Sequence, residues 1–249
     1  MVHIVGAGPG DPDLITIRGQ RLLSEADVVI FAGSLVNEEI LKFCKPEAEI
    51  YNSAQMMLEE VLHVITLAEK AGKTTVRLHT GDPSIYGAIR EQMDALDELG
   101  FEYETVPGVS SMNAAAAVLN AEFTLPQVSQ TVIVSRMAGR TPVPDKEDIR
   151  LLARHGSSMV LFLSVGMLEK LCGELISGGY SPATPAAVVY KATWPDQEII
   201  KGTLETIPAL ASHIGRTALV LVGDFLSGTV ERSKLYDPSF THMFREAKK

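Results

Sequence analysis

The chain opens with short apolar runs separated by segments of helical spacing. Val2 to Val5 is a strand-like run that breaks at Gly6-Ala7-Gly8-Pro9-Gly10-Asp11, after which Leu14, Ile17, Leu22 and Leu23 mark one face of a helix. Val28 to Phe31 is a second run. A strand, a helix and a strand in so short a span predict a βαβ unit and a parallel sheet. From Met57 through Leu58, Val61, Leu62, Ile65 and Ala68 the spacing is again helical and stops at Gly72, which places Met56 and Met57 in the core. Thr74 to His79 predicts a strand, and Ile85, Ile89, Met93, Leu96 and Leu99 predict a helix ending at Gly100. Tyr103 to Val106 predicts a further strand, followed by Pro107-Gly108 and an alanine-rich helix through Leu119 that Ser110 or Ser111 can cap.

Past this point the pattern weakens. Ala121 to Gln130 carries Pro126 and little periodicity, and marks a domain boundary. Thr131 to Ser135, Met159 to Leu163, Ala186 to Tyr190, Glu198 to Lys201 and Thr217 to Val222 then predict strands, with helices between some of them. The expected fold class is α/β, as two α/β domains over residues 1–120 and 121–249, the first doubly wound. The tail beyond Gly228 is mixed in charge and reads either as a surface extension or as a contributor to a site or a dimer contact.

Composition narrows the function classes. The 249 residues are 46% hydrophobic and 21% charged, which permits a well-buried core. A formal net charge of −9 argues against a broad grip on a nucleic-acid backbone. No apolar stretch approaches the roughly 18 residues of a membrane span, and the N-terminus has no charged region ahead of a cleavage site, so the expected localisation is cytoplasmic. Cys44 and Cys172 stand far apart and read as buried free thiols, while the six His are dispersed, so no protein-held metal is expected.

Two strand-end loops carry chemistry. Gly6-x-Gly8-x-Gly10 invites a dinucleotide reading, but Asp11 fills the third-glycine position and Phe31-Ala32-Gly33 lacks the acid that would hold a ribose. An NAD-linked oxidoreductase is disfavoured on both counts. Gly72-Lys73-Thr74 has Leu67 where a phosphate-binding loop needs its first glycine, and it precedes a strand. Asp82-Pro83 reads as an N-cap and first helical turn, yet Thr80-Gly81-Asp82 also sits where an open parallel sheet gathers ligands, and a carboxylate there suits a sulfonium or amino group. Ser110 and Ser111 at the next strand end add two hydroxyls and backbone N–H groups able to receive a carboxylate. Arg136, Arg140 and Lys191 flank strand ends of the second half, where a solvated surface is the ordinary explanation and an acidic substrate the functional one.

Taken together, Gly-Ala-Gly-Pro-Gly-Asp at 6–11, Thr-Gly-Asp-Pro at 80–83, Val-Pro-Gly-Val-Ser at 106–110 and Val-Tyr-Lys-Ala-Thr-Trp-Pro at 189–195 resemble the tetrapyrrole methylase family over nearly the whole chain. Phe-Ala-Gly-Ser-Leu-Val at 31–36, Gly-Arg-Thr-Pro-Val-Pro at 139–144 and Lys-Ala-Thr-Trp-Pro-Asp at 191–196 are similar to the branch that methylates precorrin-4 at C11. The tail pattern of Ser233 to Tyr236 with Phe240 to His242 is similar to the members that act on the cobalt-containing substrate, and Phe31 departs from the tyrosine common in the branch.

The resemblance implies an S-adenosylmethionine-dependent methyltransferase, releasing S-adenosylhomocysteine, with its cofactor in the cleft between two α/β domains and commonly a homodimer. Cofactor contacts carried over by motif are Pro9, Thr80, Gly81, Asp82, Ile85, Ser110, Ser111, Leu163, Ser164, Ala192, Thr217 and Ala218. Gly8, Gly10 and Asp11 fall to the tetrapyrrole side, and the many carboxylates of such a substrate make Arg18, Arg136, Arg140 and Lys191 its expected anchors. Direct displacement by a substrate carbon needs no enzyme nucleophile, and no general base is nominated. Methylation of uroporphyrinogen III or of a different precorrin carbon, and non-catalytic tetrapyrrole binding, stay open as alternatives.

Overall fold

The computed structural model describes residues 1–228 and 236–247, so Ser233 to Leu235 of the tail pattern lie outside the described residues. The chain divides into two compact units, Met1–Ala115 with Lys191–Gln197, and Ala116–Tyr190 with Glu198–Lys249. Among the described residues no helix is long and apolar enough to cross a membrane.

The first unit is built on strands β1 (Val2–Gly6), β2 (Val28–Phe31), β3 (Glu49–Asn52), β4 (Thr75–His79) and β5 (Tyr103–Val106), in the order β3-β2-β4-β1-β5. Every pairing is parallel. Strands β1, β2 and β4 are buried along their whole length because helices cover both faces. Leu22 and Leu23 of helix α1 (Ile17–Glu25) pack with Val5, Val29, Phe31, Val76 and Leu78 on one face. Val61, Ile65 and Ala68 of α2 (Leu58–Lys70) and Leu96 of α3 (Arg90–Leu99) pack with Val2, Val28 and Ile30 on the other. Burying a side chain such as Ile65 completely is worth about 1.5–3 kcal/mol, so these two apolar layers dominate the stability of the unit.

This arrangement of helices follows from the handedness of parallel crossovers. The chain leaves β1 toward β2 and leaves β4 toward β5, in opposite directions, so right-handed connections put α1 and α3 on opposite faces. Because β1 and β4 are neighbours, their carboxyl ends form a topological switch point, the place where open α/β sheets receive ligands.

Several local expectations are corrected. Leu14 ends a short 3-10 turn, Pro12–Leu14, and α1 begins only at Ile17, where the Thr16 hydroxyl accepts the Gly19 N–H. Ile17 is 88% exposed and belongs to no apolar face. Met57 is 66% exposed because it is the N-cap of α2, its N–H taken by the Glu60 carboxylate, whereas Met56 packs against the core. Leu99, at the last position of α3, is also exposed. The Asp82-Pro83 pair does not start a helix, since residues 83–86 form a turn and α3 begins at Arg90. Strand β3 escaped the hydrophobic pattern because it is an edge strand with mostly exposed residues. Cys172 is buried as expected and its thiol is pushed up to about 11, but Cys44 is only half-buried.

Helix α4 (Ser111–Leu119) leads into the second unit. There, strands β6 (Val132–Arg136), β7 (Ser158–Phe162), β8 (Pro185–Tyr190), β9 (Glu198–Thr203) and β10 (Ala218–Val222) form a sheet in the order β6-β7-β10-β8-β9. Only β6 and β7 pair in parallel. Helices α5 (Ile149–Ala153), α6 (Leu168–Gly178) and α7 (Ile207–Leu210) supply Ile149, Leu171, Leu175 and Ile207 to a core with Met159, Leu161, Val188 and Val220. Both β7 and β8 run against β10, so the carboxyl ends of β6, β7 and β8 share one end of the sheet with the amino end of β10.

Candidate active site

In the first unit the loops after β1, β4 and β5 meet backbone to backbone. The Ala7 N–H donates to the His79 carbonyl at 2.7 Å, and Gly8 and Gly81 form an isolated bridge, with Gly81 N–H to Gly8 carbonyl at 2.8 Å. A Cβ at Gly108 would fall 2.1 Å from the Gly81 carbonyl oxygen and 2.8 Å from the Gly6 Cα, so this approach tolerates no side chain. The glycines of the first loop and of Pro107-Gly108 thus serve the packing of three strand ends against one another.

Asp82 ties two of these loops together. One carboxylate oxygen accepts from the Ser84 N–H at 2.9 Å and from the Ser84 hydroxyl, and the other accepts from the Gly108 N–H at 2.9 Å. Partial burial pulls this carboxyl upward, but the hydrogen bonds from Ser84 and Gly108 outweigh it and the net direction is down. Asp82 is therefore an ionised group beside the switch point. Thr80 and Ile85 are half-buried around it, in a segment where Tyr86 and Ala88 hold positive φ. The Ser110 side chain is buried, accepts the Met112 N–H at 3.4 Å and caps α4, while Ser111 is the first helical residue.

Beneath this end lie two basic groups that pair with no carboxylate among the described residues. The buried Arg77 guanidinium donates to the Gln92 side chain and the Ile30 carbonyl, and burial lowers it to about 10. His79 is 5% exposed, its Nε2 has no hydrogen-bond partner among the described residues, and burial together with the Arg77 charge lowers it to about 3. It is a neutral imidazole throughout the ordinary pH range.

Residues 191–197 close over the first loop. The Trp194 indole N–H donates to the Pro9 carbonyl at 3.0 Å, and the Thr193 hydroxyl accepts the Asp11 N–H at 3.0 Å. A Cβ at Gly10 would sit 2.1 Å from the Trp194 ring. Gly8, Pro9 and Gly10 are consequently buried, and Asn37 adds a hydrogen bond to the Gly10 carbonyl. Asp11 is exposed, with its carboxylate accepting the Asp13 N–H. Lys191 pairs with Asp196 at 2.6 Å and lies 4.9 Å over the Trp194 ring, and Ala192 is buried. Sequence reasoning did not single out Trp194 or Asn37 as loop-holding residues, although a lone tryptophan beside a proline in a predicted loop was a usable signal.

The remaining expected residues gather at one end of the second sheet. Ser164 is fully buried after β7, donates to the Phe162 carbonyl and accepts the Met137 N–H at 2.8 Å. Leu163 is 67% exposed with φ +53°, and Thr217 holds φ +56° just before β10, next to the half-buried Ala218. Non-glycine residues in this conformation cost energy and collect at functional loops. Arg136 and Arg140 stand at the end of β6. Arg18 is not brought to a strand end: its guanidinium pairs with Glu104, which also holds the His3 ring at 2.8 Å, across the amino-terminal half of β5. A surface cavity of about 460 Å³ lined by Asp145, Asp148, Arg150 and Arg154 contains none of the expected site residues.

Residues 1–208 match the tetrapyrrole (corrin/porphyrin) methylases. A Methanocaldococcus jannaschii protein named cobalt-precorrin-4 C(11)-methyltransferase is 55% identical over 100% of this chain and 97% of its own. A crystal structure described as a cobalamin-biosynthetic cobalt-precorrin-4 methyltransferase superposes with a TM-score of 0.88 at 47% identity, covering 90% of this chain and 95% of that one. A uroporphyrin-III C-methyltransferase from Thermus thermophilus, solved with S-adenyl homocysteine, superposes with a TM-score of 0.76 at 28% identity, covering 92% and 99%.

Proposed function

The chain belongs to the tetrapyrrole (corrin/porphyrin) methylases, and from that premise we propose that it transfers a methyl group from S-adenosylmethionine to C11 of cobalt-precorrin-4 in cobalamin biosynthesis. The observation that carries this substrate is the similarity over the full chain to a protein named for that reaction.

The residues present fit the cofactor. An ionised Asp82, the left-handed Gly81 and the buried Ser110 stand together where the strand order of a parallel sheet reverses. S-adenosylmethionine, when bound, supplies an electrophilic methyl group on a sulfonium. Pro9, Thr80, Gly81, Asp82, Ile85, Ser110, Ser111 and Ala192 are its proposed contacts in the first unit, and Leu163, Ser164, Thr217 and Ala218 in the second. Asp82 favours the positive charge of the cofactor, and the loop backbones hold it in place. The work of the chain is to align donor and acceptor and exclude water, an effect that reaches about 7–11 kcal/mol in favourable cases. A homodimer in the cytoplasm completes the reading, and light scattering of the purified protein checks the assembly.

Incubation of the purified protein with methyl-labelled S-adenosylmethionine and cobalt-precorrin-4 tests the assignment. The expected product gains one methyl group, located at C11 by NMR. A methyl group on another carbon, or none with a competent substrate, overturns it.

A further inference from the structure

Arg136 and Arg140 are both basic residues at the carboxyl end of β6, but the fold uses them differently. Arg136 is half-buried and its guanidinium faces backbone: it donates to the Thr141 carbonyl at 3.2 Å, the Pro142 carbonyl at 2.6 Å and, at 3.4 Å, the Met137 carbonyl. These bonds curl residues 137–142 back on the end of the strand. The turn is closed further by the Gly139 N–H donating to the Thr141 carbonyl at 3.2 Å, and its base is pinned by the buried Ser164 hydroxyl on the Met137 N–H. At its tip stands Arg140, exposed and with no hydrogen bond or ion pair to another described residue. A half-buried guanidinium with three of its five donors committed to carbonyls is a poorer anchor for an anion. A free guanidinium on a stiffened turn is a good one, because the ordering cost is met before binding and the planar fork matches a carboxylate at two points.

We propose that Arg140 binds a side-chain carboxylate of the tetrapyrrole and that Arg136 is a positioning residue that builds the turn presenting it. The proposal rests on the methyltransferase reading and refines its substrate contacts: Arg136 is removed from the list of direct anchors.

The test is steady-state kinetics of the purified enzyme with cobalt-precorrin-4, alongside calorimetric titration of S-adenosylmethionine. Arg140→Ala, at an exposed position, is expected to raise KM about 10-fold or more while kcat and cofactor affinity stay within twofold. Arg136→Ala and Arg136→Lys are both expected to raise KM, since lysine keeps the charge but cannot span the carbonyls. Arg136→Ala added to Arg140→Ala is expected to do little more than Arg140→Ala alone. An unchanged KM in Arg140→Ala, full rescue by Arg136→Lys, or multiplicative effects in the double variant would each overturn the proposal. A wild-type protein that binds no S-adenosylmethionine and methylates nothing points instead to failure of the underlying assignment.

Discussion

The two units hold their strand-end loops with a different balance of backbone and side-chain contact. In the first, all strands run in parallel, so every carboxyl end lies at one side and three loops touch through glycine backbone at Gly6, Gly81 and Gly108. In the second, only β6 and β7 are parallel neighbours, and the antiparallel β10 brings an amino end to the same side. Its loops are held by side chains: the Ser164 hydroxyl on Met137, and Arg136 on Thr141 and Pro142. Backbone contact fixes a loop tightly and admits no added carbon, whereas side-chain bracing leaves room for change beside it. Tight packing around Asp82, and a braced turn around Arg140 that tolerates substitution, follow from that difference.

The largest effect expected from this contrast is at Gly108. Gly108→Ala forces a carbon into the Gly81 carbonyl and should destabilise the first unit by about 3 kcal/mol or more and abolish methylation, as read by urea unfolding and product assay. A stable, active variant would show that the three-loop contact is dispensable. Asp82→Ala comes next. It frees the Gly108 N–H and removes the charge beside the switch point, so cofactor affinity should fall about 10-fold or more, about 1.4 kcal/mol, in calorimetric titration. An unaltered titration would leave Asp82 as a brace between loops and nothing more.

A pH dependence separates the units further. Unfolded His79 takes up a proton below about 6.5, whereas folded His79 stays neutral down to about 3. Between those limits the unfolded state holds more protons, so stability falls as pH drops, by at most about 1.4 kcal/mol per unit. Urea midpoints measured from pH 7 to 5 should show this slope, and His79→Gln should flatten it. A slope that the substitution leaves intact would move the effect elsewhere. The smallest change is expected in the second unit. Gly139→Ala meets only the flexible end of Met167 at 3.2 Å, so stability should stay within about 0.5 kcal/mol. A loss as large as that at Gly108 would erase the distinction between the two ways of holding a loop.

Much of this was readable along the chain. Apolar runs located β1, β2, β4 and β5 and the strands of the second sheet, and Gly72 and Gly100 marked where α2 and α3 stop, because burial and left-handed backbone leave local signs. The misreadings share a cause. Asp82-Pro83 has the propensity to begin a helix, but the Asp82 carboxylate is taken by Gly108, 26 residues away, and α3 starts later. Met57 fits the helical spacing of α2, yet it falls at the N-cap and points to solvent. Arg18, Arg136 and Arg140 look alike as basic residues, and only their partners distinguish an ion pair with Glu104, a turn-building guanidinium and a free one.

The order of residues alone carries the α/β class, the positions of the strand-end loops and, through motifs spread over nearly the whole chain, the family. These depend on short-range preferences and on residue identities in order. Folding in three dimensions sets which loops meet, brings Trp194 onto the first loop at Pro9 from 185 residues away, and leaves some basic side chains, Arg140 among them, without a partner among the described residues. Strand order and side-chain partnership arise from contacts between segments distant in the chain, and a local pattern carries no record of which distant segment will fill a given space.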